Sequence, residues 1–102
     1  ADSQAGAVLC KSATLNKQDG NPLPRFVNKV QLGDRCQGSL NSEGLPNAGI
    51  DYYIAKETTD AIATFGKPYI VSISGLSLSD NLEMLNRLYD NPSNIAAIEL
   101  NM

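Results

Sequence analysis

Apolar and polar positions along this chain fall into blocks whose period switches between that of a strand and that of a helix. Gly6 to Lys11 (GAVLCK) is a short, mostly apolar run without helical period, which predicts a buried strand. From Ile50 onward, Tyr53, Ile54, Ala61, Ile62 and Phe65 fall on one helical face, and Gly66-Lys67-Pro68 supplies a stop. Tyr69 to Ser74 (YIVSIS) predicts a second strand, rich in β-branched and aromatic residues and broken by Gly75. The next helix is expected to start around Ser77 to Asp80, where Ser and Asp side chains can cap free amides. It should bury Leu82, Leu85 and Tyr89, and Asn91-Pro92 should end it. Ile95 to Leu100 (IAAIEL) predicts a third strand. Strands alternating with helices mean right-handed βαβ crossovers, and so an α/β fold with a parallel sheet and helices outside it.

One connection breaks the rule that βα loops are short. From about Ala13 to Ala48 there is no clear regular element, whereas loops longer than ~12 to 15 residues are uncommon unless functional or disordered. The composition of this stretch is not that of a disordered linker. It follows a strand and precedes a helix, which puts it on the C-terminal face of the sheet, where α/β folds place their ligands. The natural reading is a lid or substrate-binding loop, with room for a small hairpin inside it.

Composition narrows the chemistry. The 102 residues are 42% hydrophobic and 19% charged, ordinary for a globular domain, yet far short of the ~250 residues of a closed (β/α)₈ barrel. A net charge of -3 with scattered Lys and Arg argues against a nucleic-acid or anionic-membrane surface. No apolar run approaches the ~18 to 20 residues of a membrane span, and the start resembles no signal peptide. The first residue is not Met, so a processed chain or a part of something longer is expected. Without histidine, Ser-His-Asp and Cys-His pairs and His-based zinc sites are excluded within these residues. Cys10 and Cys36 form neither a CxxC pair nor a disulfide framework, which makes a reduced, cytoplasmic chain the default.

Candidate chemistry sits at the strand ends. Lys11 closes the first strand, at the position where a barrel presents reactive groups; the plainer alternative is a lysine leaving the core for water. Ser12 reads either way. Ser74 and Asn101 hold matching places at the ends of the second and third strands. A cation, hydroxyls and an amide together suit a planar, anionic, hydrogen-bonding ligand. Cys10 should face away from Lys11, since strand side chains alternate, and so reads as a small buried hydrophobe. Cys36 has no recognisable base beside it. Tyr52 and Tyr53 are expected to pack as part of their helix, with Glu57, Asp60 and Glu83 on solvated faces.

The stretches LCKSAT, DGNPLPRF, LNSEGLPNAGIDYY, SISGLS with the following DN, and IELN give this chain a specific resemblance. Their order and spacing resemble the dihydroorotate dehydrogenases, in particular the soluble, fumarate-linked class. The likeness covers nearly all of residues 1–102, and resembles that family's segment from the second barrel strand to the fourth. It implies a fold that is part of a (β/α)₈ TIM barrel, a parallel βαβαβ segment of one barrel domain with a long substrate loop at about 13–48. It also implies FMN as cofactor, dihydroorotate or orotate and fumarate as ligands, and a homodimer. By the same resemblance Lys11 would touch both flavin and pyrimidine, and Ser12 would lie beside the flavin. Asn41 would hydrogen-bond the pyrimidine, while backbone amides at Glu43, Gly44 and Leu45 would hold its carboxylate. Asn101 would contact both ligands, and Asn21 to Arg25 would flank the site. The family's base, a cysteine just after the ELN motif, is expected beyond Met102.

Two departures lie inside the substrate loop. LGDRCQGSLNS contains an apparent insertion of about five residues, including Arg35 and Cys36, and Glu43 stands where the family typically has Met. A carboxylate directed into a dry pocket for an anion would repel it strongly. Directed outward, it would leave only its amide to matter. The leading expectation is therefore a portion of a fumarate-linked dihydroorotate dehydrogenase, acting in pyrimidine biosynthesis, with the rest of the barrel or a partner covering the sheet edges. The alternative is a degenerate, non-catalytic relative serving as a structural subunit, and a third reading keeps the flavin but changes the pyrimidine.

Overall fold

A computed structural model describes residues 3–91 and 94–102. The chain runs β1 (Val8–Leu9), β2 (Phe26–Gly33), β3 (Cys36–Asn41), α1 (Ile50–Ile54), α2 (Lys56–Ala63), β4 (Tyr69–Ile73), α3 (Leu78–Asp90) and β5 (Ile95–Leu100). Strands β1, β4 and β5 pair in parallel in that order, while β2 and β3 form a separate antiparallel hairpin. The α/β class and the parallel sheet are as expected, and the hairpin occupies the middle of the long connection.

Alternation along β4 divides the sheet into two faces. Tyr69, Val71 and Ile73 are all fully buried and pack with Ile50, Ile54, Met84 and Leu88 in the core between sheet and helices. The opposite face carries Ile70 and Ser72, in register with Ala97 and Glu99 of β5. Ser72 is buried although it is polar, which is tolerable only because its hydroxyl is hydrogen-bonded.

The helix expected from Ile50 is two helices, separated by an extended Ala55 (φ -56°, ψ 142°). In an unbroken helix the Tyr52 carbonyl would accept from the Lys56 amide; here the Thr58 hydroxyl donates to it at 2.8 Å. This is the competition between Thr side chains and the backbone ladder that the apolar spacing does not register. Tyr53 is half-buried, but Tyr52 is exposed rather than packed.

In α3, Ser77 caps the first turn by accepting from the Asp80 amide at 3.1 Å. Asn91 follows its last turn, and Pro92 lies outside the described residues. Met84 and Leu88 are its buried residues and Leu85 is half-buried, whereas Leu82 and Tyr89 are exposed. The helical period was right and its phase was off by about 100°, one residue's rotation.

Two expected strands also differ. Only Val8–Leu9 of GAVLCK pairs regularly, although the Cys10 amide still donates to Ile70 O and the Ala13 amide to Ser72 O. From Leu9↔Ile70 to Ala13↔Ile73 the chain advances four residues against three, so one extra residue is accommodated around Lys11 and Ser12. Strand β5 forms where expected, but Ile98 and Leu100 are exposed. An apolar run identifies a strand; its burial depends on neighbours that the run itself does not encode.

Candidate functional site

The bulge after β1 brings the first strand end against the other two. Ser12 Oγ lies 3.0 Å from Ser72 Oγ, Ser72 donates to Glu99 Oε1 at 2.8 Å, and Asn101 Nδ2 donates to Ser12 Oγ at 3.2 Å. Ser12 and Asn101 are 89 positions apart, so their meeting is a product of the parallel topology alone. The Asn101 amide donates to Ile73 O, and the Ser74 amide to Ala13 O, which fixes these residues at the C-terminal ends of the strands. Lys11 is exposed beside this cluster in sequence, and its ammonium has no protein partner among the described residues.

A second group forms where the two arms of the long connection run side by side. Gln18 and Asn47 exchange backbone hydrogen bonds, the Asn21 amide donates to Glu43 O, and the Ser42 amide donates to Arg25 O. The buried Asn47 side chain ties this region to the end of β1. Its Oδ1 accepts from the Thr14 and Gly49 amides, and its Nδ2 donates to Thr14 Oγ1 and Leu45 O. Thr14, itself buried, passes its own hydroxyl proton to Asn16 O at 2.6 Å.

This clamp shapes the segment from Ser42 to Pro46. Gly44 (φ 77°) and Leu45 (φ 54°) are both left-handed, and a Cβ on Gly44 would come within 2.6 Å of Asn21 N. The carbonyls of Gly44 and Leu45 are taken by Gln18 Nε2, each at 3.2 Å. Among the described residues, nothing accepts from the amides of Glu43, Gly44 or Leu45. Three successive free N–H groups are a donor set matched to a carboxylate. Asn41, at the end of β3, is exposed, and its side chain likewise bonds to none of the described residues.

The Glu43 carboxylate is drawn toward Arg25, with Oε2 4.0 Å from NH1. Arg25 is held in turn by the Asp19 and Asn21 carbonyls, so it faces Glu43 as a fixed cation. Neutralisation by Arg25 weakens the repulsion that Glu43 would exert on an anion nearby.

Cys10 is half-buried between β1 and β4, with Sγ 3.2 Å from the Ser72 amide. Burial raises its pKa above the ordinary thiol value, against a smaller lowering by the Ser72 amide, and the side chain expected to be a small buried hydrophobe is only half-buried. Tyr69, whose hydroxyl donates to Tyr53 O at 2.9 Å, also has its pKa raised, first by burial and then by the neighbouring Cys10.

Of the residues the sequence singles out, Ser12 and Asn101 meet, and the Glu43–Leu45 amides have no acceptor among the described residues. No hydrogen bond ties Lys11 or Asn41 to either group among the described residues. Sequence reasoning passed over Ser72, Glu99, Thr14 and Asn47. Ser72 carried a signal, being polar within an otherwise apolar strand and on the face opposite Val71 and Ile73. Among the described residues no His, Cys, Asp or Glu group is arranged to hold a metal ion, and no helix is long and apolar enough to cross a membrane.

Comparison with known proteins is consistent along the chain. The family described as dihydroorotate dehydrogenase matches residues 1–102. The chain is 43% identical over 108 residues to the dihydroorotate dehydrogenase (fumarate) of Saccharomyces mikatae, covering 100% of this chain and 31% of that protein. It is 43% identical over 107 residues to dihydroorotate dehydrogenase A (fumarate) of Lactococcus lactis, covering 98% of this chain and 30% of that one. The Kluyveromyces lactis dihydroorotate dehydrogenase (fumarate) is 43% identical over 105 residues. The chain thus spans about 30% of the length of these relatives.

Proposed function

This chain belongs to the dihydroorotate dehydrogenase family, and from that premise we propose that it supplies the pyrimidine-facing part of an enzyme that oxidises dihydroorotate to orotate. Its three parallel strands are then consecutive strands of a (β/α)₈ barrel, with the strand ends as the floor of the site and the segment from Asn41 to Leu45 as its cover. The observation that carries the reading is the convergence of Ser12 and Asn101 at 3.2 Å on the strand ends. They are two residues that the family resemblance assigns to one ligand site.

The residues present fit the ligands by their donor chemistry. The free amides of Glu43, Gly44 and Leu45 can hold the carboxylate of the pyrimidine, and the left-handed backbone at Gly44 lets the main chain approach it closely. Asn41 and Asn101 offer amides that both donate and accept, as a ring with N–H and C=O groups requires. Lys11 would place a positive charge where an anionic pyrimidine meets FMN, and Ser12 would lie beside the flavin. FMN, when bound, supplies the two-electron acceptor that no side chain can provide, and fumarate re-oxidises it. Lys11 would stabilise negative charge on the ligand, the more strongly the further water is excluded on binding. A homodimeric cytoplasmic enzyme of pyrimidine biosynthesis is the corresponding setting.

The test is direct. The full-length protein, reconstituted with FMN, is expected to be yellow and to reduce fumarate at the expense of dihydroorotate. A colourless protein that is inert with dihydroorotate would sink the reading. Lys11→Ala should retain flavin and lose turnover by at least about tenfold, the cost of one charge-assisted hydrogen bond.

A further inference from the structure

The strand-end cluster has a built-in direction. A carboxylate only accepts hydrogen bonds, whereas a serine hydroxyl carries one proton to give. Ser72 spends that proton on Glu99 Oε1, at 2.8 Å. Ser12, 3.0 Å from Ser72 Oγ, must therefore donate to it. With its own proton committed, Ser12 Oγ can only accept from Asn101, so the amide nitrogen of Asn101 has to face it, at 3.2 Å. Ser72 is buried and stands in register with Glu99 across the β4–β5 ladder, so the middle of the chain is held by the sheet itself.

We infer that Glu99, acting through Ser72 and Ser12, sets which way round the Asn101 amide stands, and so reserves Asn101 Oδ1 as the acceptor for a ring N–H of the ligand. Glu99 and Ser72 are positioning residues: neither need touch the ligand. An asparagine left to itself can present either end, and a ligand with an N–H at that point would meet the wrong end part of the time. A carboxylate at the far end of the relay removes that ambiguity. This inference rests on the function proposed above, which puts Asn101 at the pyrimidine.

Glu99→Gln tests it, because a glutamine can donate to Ser72 and allow every hydrogen bond in the chain to reverse, turning the Asn101 carbonyl toward Ser12. In the full-length, FMN-loaded protein, orotate affinity can be read from the perturbation of flavin absorbance on titration. Glu99→Gln is expected to weaken orotate about five- to tenfold, the value of one oriented hydrogen bond. Flavin content and melting temperature should stay near those of the unaltered protein. Ser72→Ala, a smaller change that cuts the same relay, should weaken binding in the same direction, and Ser72→Thr, which keeps the hydroxyl, should restore it. In an Asn101→Ala background, Glu99→Gln should have no further effect, because the residue it orients is gone. Unchanged orotate affinity in both Glu99→Gln and Ser72→Ala overturns the inference while leaving the proposed function standing. An equal loss from Glu99→Gln with and without Asn101 overturns it as well. If the unaltered protein binds FMN but not orotate, the proposed function fails first and the inference falls with it.

Discussion

Asn47 holds the two arms of the long connection together. Its amide makes four hydrogen bonds in a buried position, joining Thr14, next to the Ala13 bridge, to Leu45 and Gly49 on the far arm of the connection. Asn47→Ala strands several of those partners and should cost on the order of 2 to 3 kcal/mol, measurable by denaturant unfolding of the full-length protein. Gly44→Ala should be more local. It forces a Cβ against Asn21 and a side chain into left-handed backbone, so orotate affinity should fall further than global stability does. The two thiols separate by burial: Cys36 is exposed and Cys10 is not, so a thiol reagent at neutral pH should modify Cys36 first, as mass spectrometry of timed samples would show. The raised pKa values of Cys10 and Tyr69 have a definite sign. Each folded group holds its proton more tightly than its unfolded counterpart, so stability is full below the unfolded pKa and is lost as pH rises through the folded one. Unfolding measured from neutral pH upward should show a decline beginning above about pH 9, the ordinary thiol value for Cys10.

At the scale of elements, the apolar spacing located both helical regions and the two later strands, because burying one face imposes a period on the chain. Where that spacing failed, a second interaction was responsible. Where one helix becomes two, at Ala55, the Thr58 hydroxyl takes the place of a backbone donor on the Tyr52 carbonyl. In α3 the ridge that fits the sheet is Met84 and Leu88, leaving Leu82 outside. The contrast is measurable: Met84→Ala should destabilise by about 2 to 5 kcal/mol, whereas Leu82→Ala at its exposed position should stay within roughly 0.5 kcal/mol. The tie between α1 and α3 is weaker than its geometry suggests. Arg87 bonds Asp51 of α1 at 2.9 Å and Glu83 of its own helix at 3.1 Å on the surface, where solvent screens such pairs.

At the scale of the whole molecule, the radius of gyration is 16.5 Å, against the ~13 Å of a compact domain of this length. The described residues form an open three-stranded parallel sheet with helices packed on the face of Tyr69, Val71 and Ile73, and a separate two-stranded hairpin. An apolar groove between α3 and β5, lined by Leu85, Leu88, Tyr89, Ile95 and Ile98, is left facing outward. An open parallel sheet of this kind is consistent with part of a barrel-like fold, and these relatives are about three times the length of the chain. What the sequence determined alone was the order and type of the elements, the α/β class, and the family, through motifs long enough to be specific. It also placed the candidate residues along the chain, Lys11 and Ser12 after the first strand, Asn101 after the last, and the NSEGLPN segment in an unusually long connection. What only the tertiary structure decided was which of them meet. The hairpin register, the bulge after β1 and the Asn101–Ser12–Ser72–Glu99 relay all depend on pairings between residues far apart in the chain. Local periodicity reports what each segment must bury; it carries no information about which polar groups will be brought within 3 Å of one another when the segments pack.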